Sequence, residues 1–335
     1  MLRFTPDQQA AINAARAGFN QTQLALAANS AAAMQMAGNA STVDIDAWRR
    51  IDSRSTQIMR DVLAVFNTLA RANTTPMGVG DIVNYFPQIS DSGTVTVSMD
   101  GRNGEIGDQA VVKYVGTPVP VISSAARMGW RQMAVVRKGG VGLDVETIAN
   151  HQRKVAEKLE DMVLNGDSSI VVGGSALVGL RNHPLRNTGT HGFDLNGAAT
   201  GANWLTAFAQ IINLCVSDNA FGRVTVFLNY GDWVYASINE FVAGYPKTIL
   251  QRLREIEQIA DIIPCGKVPA DNIIGIAGLD TGNWGSILSA MPMTTRPKVR
   301  QNPEDDYVFD VMAVVAPQFR TDFDGRAPFA HTTAS

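Results

Sequence analysis

This chain of 335 residues contains residue types that are used in catalysis and cofactor binding, but their spacings match no known motif for either. Gly139-Gly140-Val141-Gly142 precedes a helix, yet a dinucleotide-binding fingerprint needs a third glycine where Val145 stands. The chain has no Walker sequence, and Gly174-Ser175 lacks the second glycine of a nucleophile elbow. We therefore expect neither a nucleotide cofactor nor a hydrolytic site, and the sequence favours a protein that is not an enzyme.

Metal-binding patterns are equally weak. None of the histidines lies four residues from another, so chelation from one helix face is not indicated (His151, His183, His191 and His331). His183 and His191 fall in a stretch rich in Gly and Asn, which we interpret as a flexible polar loop. Cys215 and Cys265 form no CxxC motif, and we expect two buried free thiols in a reducing compartment. Asp322-Phe323-Asp324-Gly325 resembles the start of a calcium loop, but the distal Glu is missing and a surface turn is favoured.

Composition excludes several classes of protein. Lys and Arg total 28 and Asp and Glu total 31, so the formal net charge is −3, which argues against a strongly basic nucleic-acid binder and against a polyacidic tail. Hydrophobic residues make up 45%, which is too much for a disordered chain of small net charge. The N-terminus has no uninterrupted apolar run typical of a secretory signal, and no run of 18 apolar residues predicts a membrane span.

The first 42 residues are rich in Ala, Gln and Asn and nearly uncharged. Thr5-Pro6-Asp7-Gln8 is a capping-box pattern that predicts a helix after it. The sizeable apolar side chains between residues 20 and 40 are Leu24, Leu26, Met34 and Met36. They are too few to form a core, so this segment is either a frayed tail or an arm that packs against another surface.

A second helix is predicted from Asp44 to about Arg71, because apolar residues recur there every three or four positions. Its other face carries Arg49, Arg50 and Arg54 among acidic residues. Two interpretations remain open: a stripe that contacts DNA phosphate, or a solvated face with local ion pairs.

An extended β-hairpin is predicted after a loop at residues 73–90. Thr94–Met99 and Ala110–Val115 alternate with period two, and the turn between them is too long to be tight. An isolated two-stranded hairpin is marginally stable in water, so another surface must cover it. The polar residues that we consider for assembly contacts on this hairpin are Arg102, Glu105, Asp108 and Lys113.

A long helix follows, from Val145 to Leu164, with a seam of Val145, Ile148, Val155, Leu159 and Met162. We place its charged residues, Glu160 among them, on the outside, and Asn165-Gly166 should end it in the left-handed conformation. The remainder reads as mixed α and β. Helices are predicted at Trp204–Val216, Asp232–Phe241 and Lys247–Ile259, and strands at Arg223–Leu228, Ala260–Pro264, Asn272–Ala277, Met293–Val299 and Tyr307–Pro317.

This order of parts resembles the major capsid protein of tailed phages, which has the Hong Kong 97-type fold, and its relatives the encapsulins. Val178-Gly179-Leu180-Arg181-Asn182 is similar to the G-L-x-N segment that often follows the long "spine" helix in that family. The resemblance implies an α+β fold made of an N-terminal arm, an extended hairpin loop, a peripheral domain with the spine helix, and an axial domain. The corresponding segments are an N-terminal helical arm at 1–75, the extended loop at 76–136, the peripheral domain at 137–180, the axial domain at 181–292, and closing peripheral strands with the C-terminus at 293–335.

The resemblance also implies a function: self-assembly through pentamers and hexamers into an icosahedral shell around double-stranded DNA, held without sequence specificity. Expected partners are other copies, a portal protein, and scaffold or decoration proteins, with no membrane and no cofactor. The expected location is the virion, after assembly in the host cytoplasm. Some relatives form a Lys–Asn cross-link, but no motif identifies an Asn partner for Lys113. Two alternatives stay open: an encapsulin-type compartment, and a cytosolic α+β enzyme with a scattered site.

Overall fold

The computed structural model describes residues 10, 13–18, 21, 63–92, 99, 109–133, 145–197, 199–244, 246–302 and 304–334. Residues 13–18 are helical, as the Thr5-Pro6 pattern predicts for the segment after it. The helices are α1 (Ala64–Ala72), α2 (Val145–Asn165), α3 (Gly201–Ser217), α4 (Tyr230–Ile238) and α5 (Ile249–Arg254). The strands are β1 (Thr74–Pro76), β2 (Val83–Ile89), β3 (Val112–Pro118), β4 (Val121–Met128), β5 (Gly166–Val172), β6 (Ser175–Val178), β7 (Asn187–Thr190), β8 (Val224–Asn229), β9 (Ile259–Cys265), β10 (Asn272–Ala277), β11 (Gly285–Pro297), β12 (Tyr307–Phe319) and β13 (Phe329–Thr333).

The chain divides into two compact units. The first comprises residues 1–62, 121–158 and 291–313, and the second comprises 63–120, 159–290 and 314–335. A four-stranded sheet has the order β1-β11-β12-β4, and a five-stranded sheet in the second unit has the order β7-β13-β10-β8-β9. The mixed α+β class predicted from the sequence is confirmed. The finer division into arm, extended loop, peripheral and axial domains stays a prediction.

The five-stranded sheet and α3 to α5 pack around an apolar core in the second unit. Trp204, Phe208 and Ile211 on α3 are fully buried in this core. The sheet accommodates α3 closely, because a Cβ on Gly275 of β10 would stand 2.4 Å from the Ile211 side chain. The sequence therefore places a large residue on the helix opposite a strand position that has no side chain.

Most predicted elements of this region are confirmed, but one helix is shorter than predicted and the strands β7 and β13 were not predicted. Instead of Lys247–Ile259, the helix α5 begins after its N-cap Thr248, which forms a capping box with Gln251, and ends at Arg254, before β9 starts at Ile259. The final strand β13 was not predicted, although it lies inside the sheet between β7 and β10. Its sequence, Phe-Ala-His-Thr-Thr, has too few large apolar residues to signal a buried strand.

The long helix α2 and its left-handed end are confirmed. Ile148, Val155, Leu159 and Met162 are buried as predicted, while the Val145 side chain lies outside the described residues. Gly166 has φ +66°, and a Cβ on Gly179 would come within 2.3 Å of the Gly166 amide nitrogen. Glycine is therefore required at both positions, which gives a physical reason for the glycine of the G-L-x-N segment.

The prediction that Glu160 lies on the outside of α2 is wrong. Its side chain is fully buried, with Oε1 accepting from the Val65 amide at 2.8 Å and Oε2 from the Phe66 amide at 3.0 Å. These amides belong to the first turn of α1, whose N-cap residue Leu63 provides no side-chain cap. Glu160 therefore supplies the missing cap from a distant part of the chain, and the positive end of the α1 dipole favours its charge.

A buried thiol completes the surroundings of Glu160. The Cys265 Sγ donates to Glu160 Oε1 at 3.4 Å. Burial raises the pKa of Glu160, although the Phe66 and Val65 amides oppose this effect. Burial and the neighbouring carboxyl raise the pKa of Cys265 to about 11, so the thiol stays protonated and able to donate. Cys215 is also buried and free, so the prediction of two buried free thiols is confirmed.

The interpretation of the His183 and His191 segment as a flexible polar loop is wrong, because both side chains are buried. The His183 ring packs edge-on against Phe329 at 5.0 Å between centroids. His331 on β13 is also buried and bonds the Asn272 Oδ1 through its Nε2 at 2.8 Å. Burial lowers the pKa of His183 and of His331 to about 4, and the charge of Arg186 adds to both shifts. Both rings are therefore neutral at pH 7.

Replacing Glu160 with Gln should lower the free energy of unfolding by about 2–4 kcal/mol, because an amide nitrogen would then face an N–H donor in a buried site. The measurement is urea unfolding of the full chain followed by circular dichroism. The control is Glu157→Gln on the same helix. Glu157 forms a partly exposed ion pair with Lys154 at 3.0 Å, so this variant should lose less than about 1 kcal/mol of unfolding free energy. Equal losses in the two variants would contradict the role of Glu160.

The buried histidines His183 and His331 should make the fold less stable in acid. The unfolded chain binds protons on histidine below about pH 6.5, whereas the folded chain does so only near pH 4. Stability from these groups is therefore present above pH 6.5 and is lost as the pH falls towards 4, by about 3 kcal/mol for each histidine.

The double variant His183→Gln, His331→Gln should show a shallower fall in unfolding free energy between pH 7 and pH 4 than the unmodified chain. Glu160 and Asp232 have raised pKa values, which act in the opposite direction, but they are present in both proteins and cancel in the comparison. His151→Gln is the control. Parallel pH profiles for the double variant and the unmodified chain would disprove the assignment.

Candidate assembly surface

The β2–β3 pair is an antiparallel ladder within the second unit. Its register joins Val83 to Pro118 at one end and Ile89 to Val112 at the other. The loop predicted at residues 73–90 is therefore wrong, since β1 and β2 both lie within it. The strand predicted at Thr94–Met99 and the turn after it lie almost entirely outside the described residues, whereas a strand around Ala110–Val115 is confirmed as β3.

One face of this ladder is buried, with Phe86 at its centre and amide side chains that form hydrogen bonds around it. Gln88 Nε2 donates to the backbone oxygen of Thr321 at 3.0 Å and to its Oγ1 at 2.8 Å. The fully buried Gln318 of β12 accepts from Asn84 Nδ2 at 3.3 Å and donates to Thr117 Oγ1 at 3.4 Å. Because these hydrogen bonds are directional, they fix which face of β2 and β3 turns inward.

The opposite face is apolar and exposed. It carries Tyr85, Ile89, Val112 and Tyr114, with exposed fractions of 55%, 55%, 48% and 68%. Pro87 lies directly across from Tyr114 on the same face and is also exposed. The buried face holds Phe86 together with the amide side chains, so large apolar groups lie on both faces, and those of the outer face are uncovered in the single chain. Such a contiguous patch, roughly 400 Å² in area, marks an interaction surface rather than a solvated one.

A second hairpin supports this pair. The strands β5 and β6 are antiparallel, and the turn between them is formed by Gly173 and Gly174 with φ of +58° and +80°. A Cβ on Gly116 of β3 would stand 2.5 Å from Ser175 Oγ and 2.8 Å from the Tyr85 ring. Gly116 therefore allows the two hairpins to approach closely, and this contact sets the position of the apolar face.

The sequence-predicted site residues are only partly described. Lys113 lies on β3, exposed, with Gln88 opposite it in the ladder. Arg102, Glu105 and Asp108 on the predicted turn, and Arg49, Arg50 and Arg54 on the predicted second helix, lie outside the described residues. The apolar face itself was missed. Its signal is the alternation of Val83, Tyr85, Pro87 and Ile89, which Pro87 and the preceding Gly-rich stretch concealed.

Two negative findings concern the described residues only. No group of three or more His, Cys, Asp or Glu side chains in this part of the chain could hold a metal ion. Among the same residues, no helix is long and apolar enough to cross a membrane.

Comparison with known proteins gives a family and a fold. A profile of a family of unknown function, DUF6260, matches residues 36–332. No curated protein matches the chain. Several solved structures resemble it at low sequence identity.

Three of these structures illustrate the likeness. The virus-like particle from Pyrococcus furiosus has a TM-score of 0.57 at 14% identity, covering 85% of this chain and 98% of that one. The capsid of Myoviridae phage XM1 has a TM-score of 0.63 at 12% identity, and the match covers 79% of this chain and 91% of that one. The capsid of a native GTA particle has a TM-score of 0.56 at 13% identity, and the match covers 79% of this chain and 89% of that one. The resemblance to the Hong Kong 97-type capsid fold is confirmed.

Replacing Gly116 with Val should force the two hairpins apart, because the new side chain would overlap Ser175 and Tyr85. We expect the free energy of unfolding to fall by about 1–3 kcal/mol, and amide hydrogen exchange in β2 and β3 to become faster. The measurement is hydrogen exchange with mass spectrometry on the full chain. Lys113→Val adds the same side chain at an exposed position of β3 and should leave exchange nearly unchanged. Unaltered protection in the Gly116 variant would refute the close contact.

Proposed function

The chain belongs to the DUF6260 family, whose function is unknown, and we propose that it is a major capsid protein that self-assembles into an icosahedral shell around a phage double-stranded DNA genome. Its Hong Kong 97-type fold supports a shell-forming protein. The observation that carries the proposal is the exposed apolar face of the β2–β3 pair. A strand pair with large apolar side chains exposed on one face is suited to burial on another copy.

In this proposal, copies of the chain assemble through the exposed apolar face of the β2–β3 pair. Each copy presents the apolar face of its hairpin to a neighbour, and burying roughly 400 Å² of apolar area contributes on the order of 10 kcal/mol before the costs of association. Closed symmetry repeats this contact many times. In this proposal α2 is the spine of the peripheral domain, and the five-stranded sheet with α3 to α5 belongs to the axial domain, which meets its copies around the five-fold and quasi-six-fold axes.

The interior of the shell would hold DNA without sequence-specific contacts. A formal charge of −3 suits a wall that confines DNA without binding it tightly. If Arg49, Arg50 and Arg54 face inward, they supply weak, salt-dependent phosphate contacts, while Arg102, Glu105, Asp108 and Lys113 act in assembly at the hairpin. The protein acts without catalysis or cofactor, in the virion, after assembly in the host cytoplasm. Its partners are its own copies and a portal protein, and scaffold or decoration proteins where the phage encodes them.

The second candidate is an encapsulin-type compartment. The likeness to the virus-like particle from Pyrococcus furiosus, which covers 85% of this chain, favours it. The two functions differ in what the shell encloses. Identification of the contents of purified particles, DNA or a cargo protein, therefore separates them.

Expression of the full chain alone should give closed particles by electron microscopy and elution in the megadalton range. Tyr114→Lys should abolish particles, because it places a charge in a face that is buried on assembly. Tyr114→Phe is the matched control and should assemble normally. Circular dichroism should be unchanged in both variants, since Tyr114 is exposed in the single chain. A chain that stays a monomer, or a Lys variant that assembles fully, would exclude this function for the hairpin.

A further inference from the structure

The connection between β6 and β7 carries two arginines that lack an ion-pair partner in the described part of the chain. Arg181 and Arg186 are both partly buried, and neither pairs with an Asp or Glu side chain among those residues. Their Nε atoms are buried and have no hydrogen-bond partner there either. Two cations are therefore held in the protein with part of their hydrogen-bonding capacity unused.

Each guanidinium group is positioned by one hydrogen bond. Arg181 Nη1 donates to Asn165 Oδ1 at 2.7 Å, at the end of α2, and Arg186 Nη1 donates to the backbone oxygen of His183 at 2.9 Å. Burial lowers the pKa of Arg181, the charge of Arg186 lowers it further, and Asp161 acts in the opposite direction. The two cations are thus close enough to repel each other, and a single nearby carboxylate offsets only one of the two charges.

His183 adds a third donor to the same connection. The Leu185 amide donates to His183 Nδ1 at 3.2 Å, which assigns the proton of the neutral imidazole to Nε2. Burial, and then the charge of Arg186, lowers the pKa of His183 to about 4, so the ring is neutral at pH 7. Its Nε2–H group makes no hydrogen bond to the described residues. Donors on three neighbouring side chains therefore lack an acceptor.

The fields of the two arginines overlap at His331 on β13. Burial, and then the charges of Arg181 and Arg186, lowers the pKa of this histidine to about 4. Its Nε2 already bonds Asn272 Oδ1 at 2.8 Å, so the ring offers no further donor. The shift shows that both guanidinium charges act on one place in the second unit, and an anion is attracted to such a place.

We propose that Arg181, His183 and Arg186 bind an oxyanion of the phosphate type, either inorganic phosphate or a phosphodiester group of DNA. Phosphate has enough oxygens to accept from three side chains at once, whereas a carboxylate has two. A guanidinium group donates to phosphate through a planar fork, and the negative charge removes the repulsion between the two arginines. The inference is independent of shell assembly, because all three residues belong to one chain.

The test is equilibrium dialysis of the full chain against ³²P-labelled inorganic phosphate at pH 7 and constant ionic strength. We expect saturable binding of a single phosphate by each chain. Arg181→Gln and Arg186→Gln should each raise the dissociation constant at least about tenfold, because charge-assisted hydrogen bonds are lost. Arg254→Gln removes an exposed arginine of α5 and should change it by less than about twofold. Non-saturable binding, or equal affinities in all three variants, would overturn the inference.

Charge-preserving variants give a second measurement that does not rely on the glutamine variants being folded. Arg181→Lys and Arg186→Lys keep the positive charge but replace the planar fork with a point charge, so each should weaken phosphate binding by about threefold or more. Circular dichroism checks the fold of every variant. If the glutamine variants do not fold, the lysine variants decide, and an affinity equal to that of the unmodified chain would reject the site.

Competing anions identify the ligand. Sulfate should displace labelled phosphate, whereas acetate should do so at least several-fold more weakly, because it has two oxygens. Equal displacement by acetate would reject a ligand of the phosphate type. Displacement by a short double-stranded oligonucleotide would support the site with the DNA backbone as its ligand, and displacement by sulfate alone would support it with the free anion.

Discussion

The contact of the Glu160 carboxyl group with the first turn of α1 anchors the segment that leads into β1. Taking a carboxylate out of water costs several kcal/mol, and it is tolerated only where hydrogen bonds and a favourable field replace the solvent. Two backbone amides and the helix dipole do so here. Because α1 leads directly into β1, which pairs with β11 from Thr74 to Pro76, this one group fixes the start of the segment that continues into β2.

Buried polar groups that are held by hydrogen bonds also position the β2–β3 hairpin. Beside the buried Phe86, its inner face is held by the amides of Gln88, Gln318 and Asn84. Hydrogen bonds of this kind specify orientation at little net gain in stability. The large apolar side chains of the outer face stay exposed in the single chain and so add little to its stability.

The sequence was informative where periodicity and burial agree. The helices α2 and α3 and the strands β8, β10 and β12 were predicted from spacing alone, and the left-handed end at Gly166 followed from the Asn-Gly pair. Prediction failed where tertiary contacts override local pattern. Glu160 was assigned to solvent because its partner amides lie about 95 residues away in the chain. The strand β2 was taken for loop because Pro87 and the preceding Gly-rich stretch concealed its alternation.

The two cysteines have a practical consequence. With thiol pKa values near 12 for Cys215 and 11 for Cys265, and with both side chains buried, the fraction of reactive thiolate at neutral pH is on the order of 10⁻⁴ or less. The two thiols of the folded chain should therefore react very slowly with maleimide fluorophores. A single cysteine introduced at the surface can carry a dye for energy-transfer studies of subunit exchange without first removing the two that are already there.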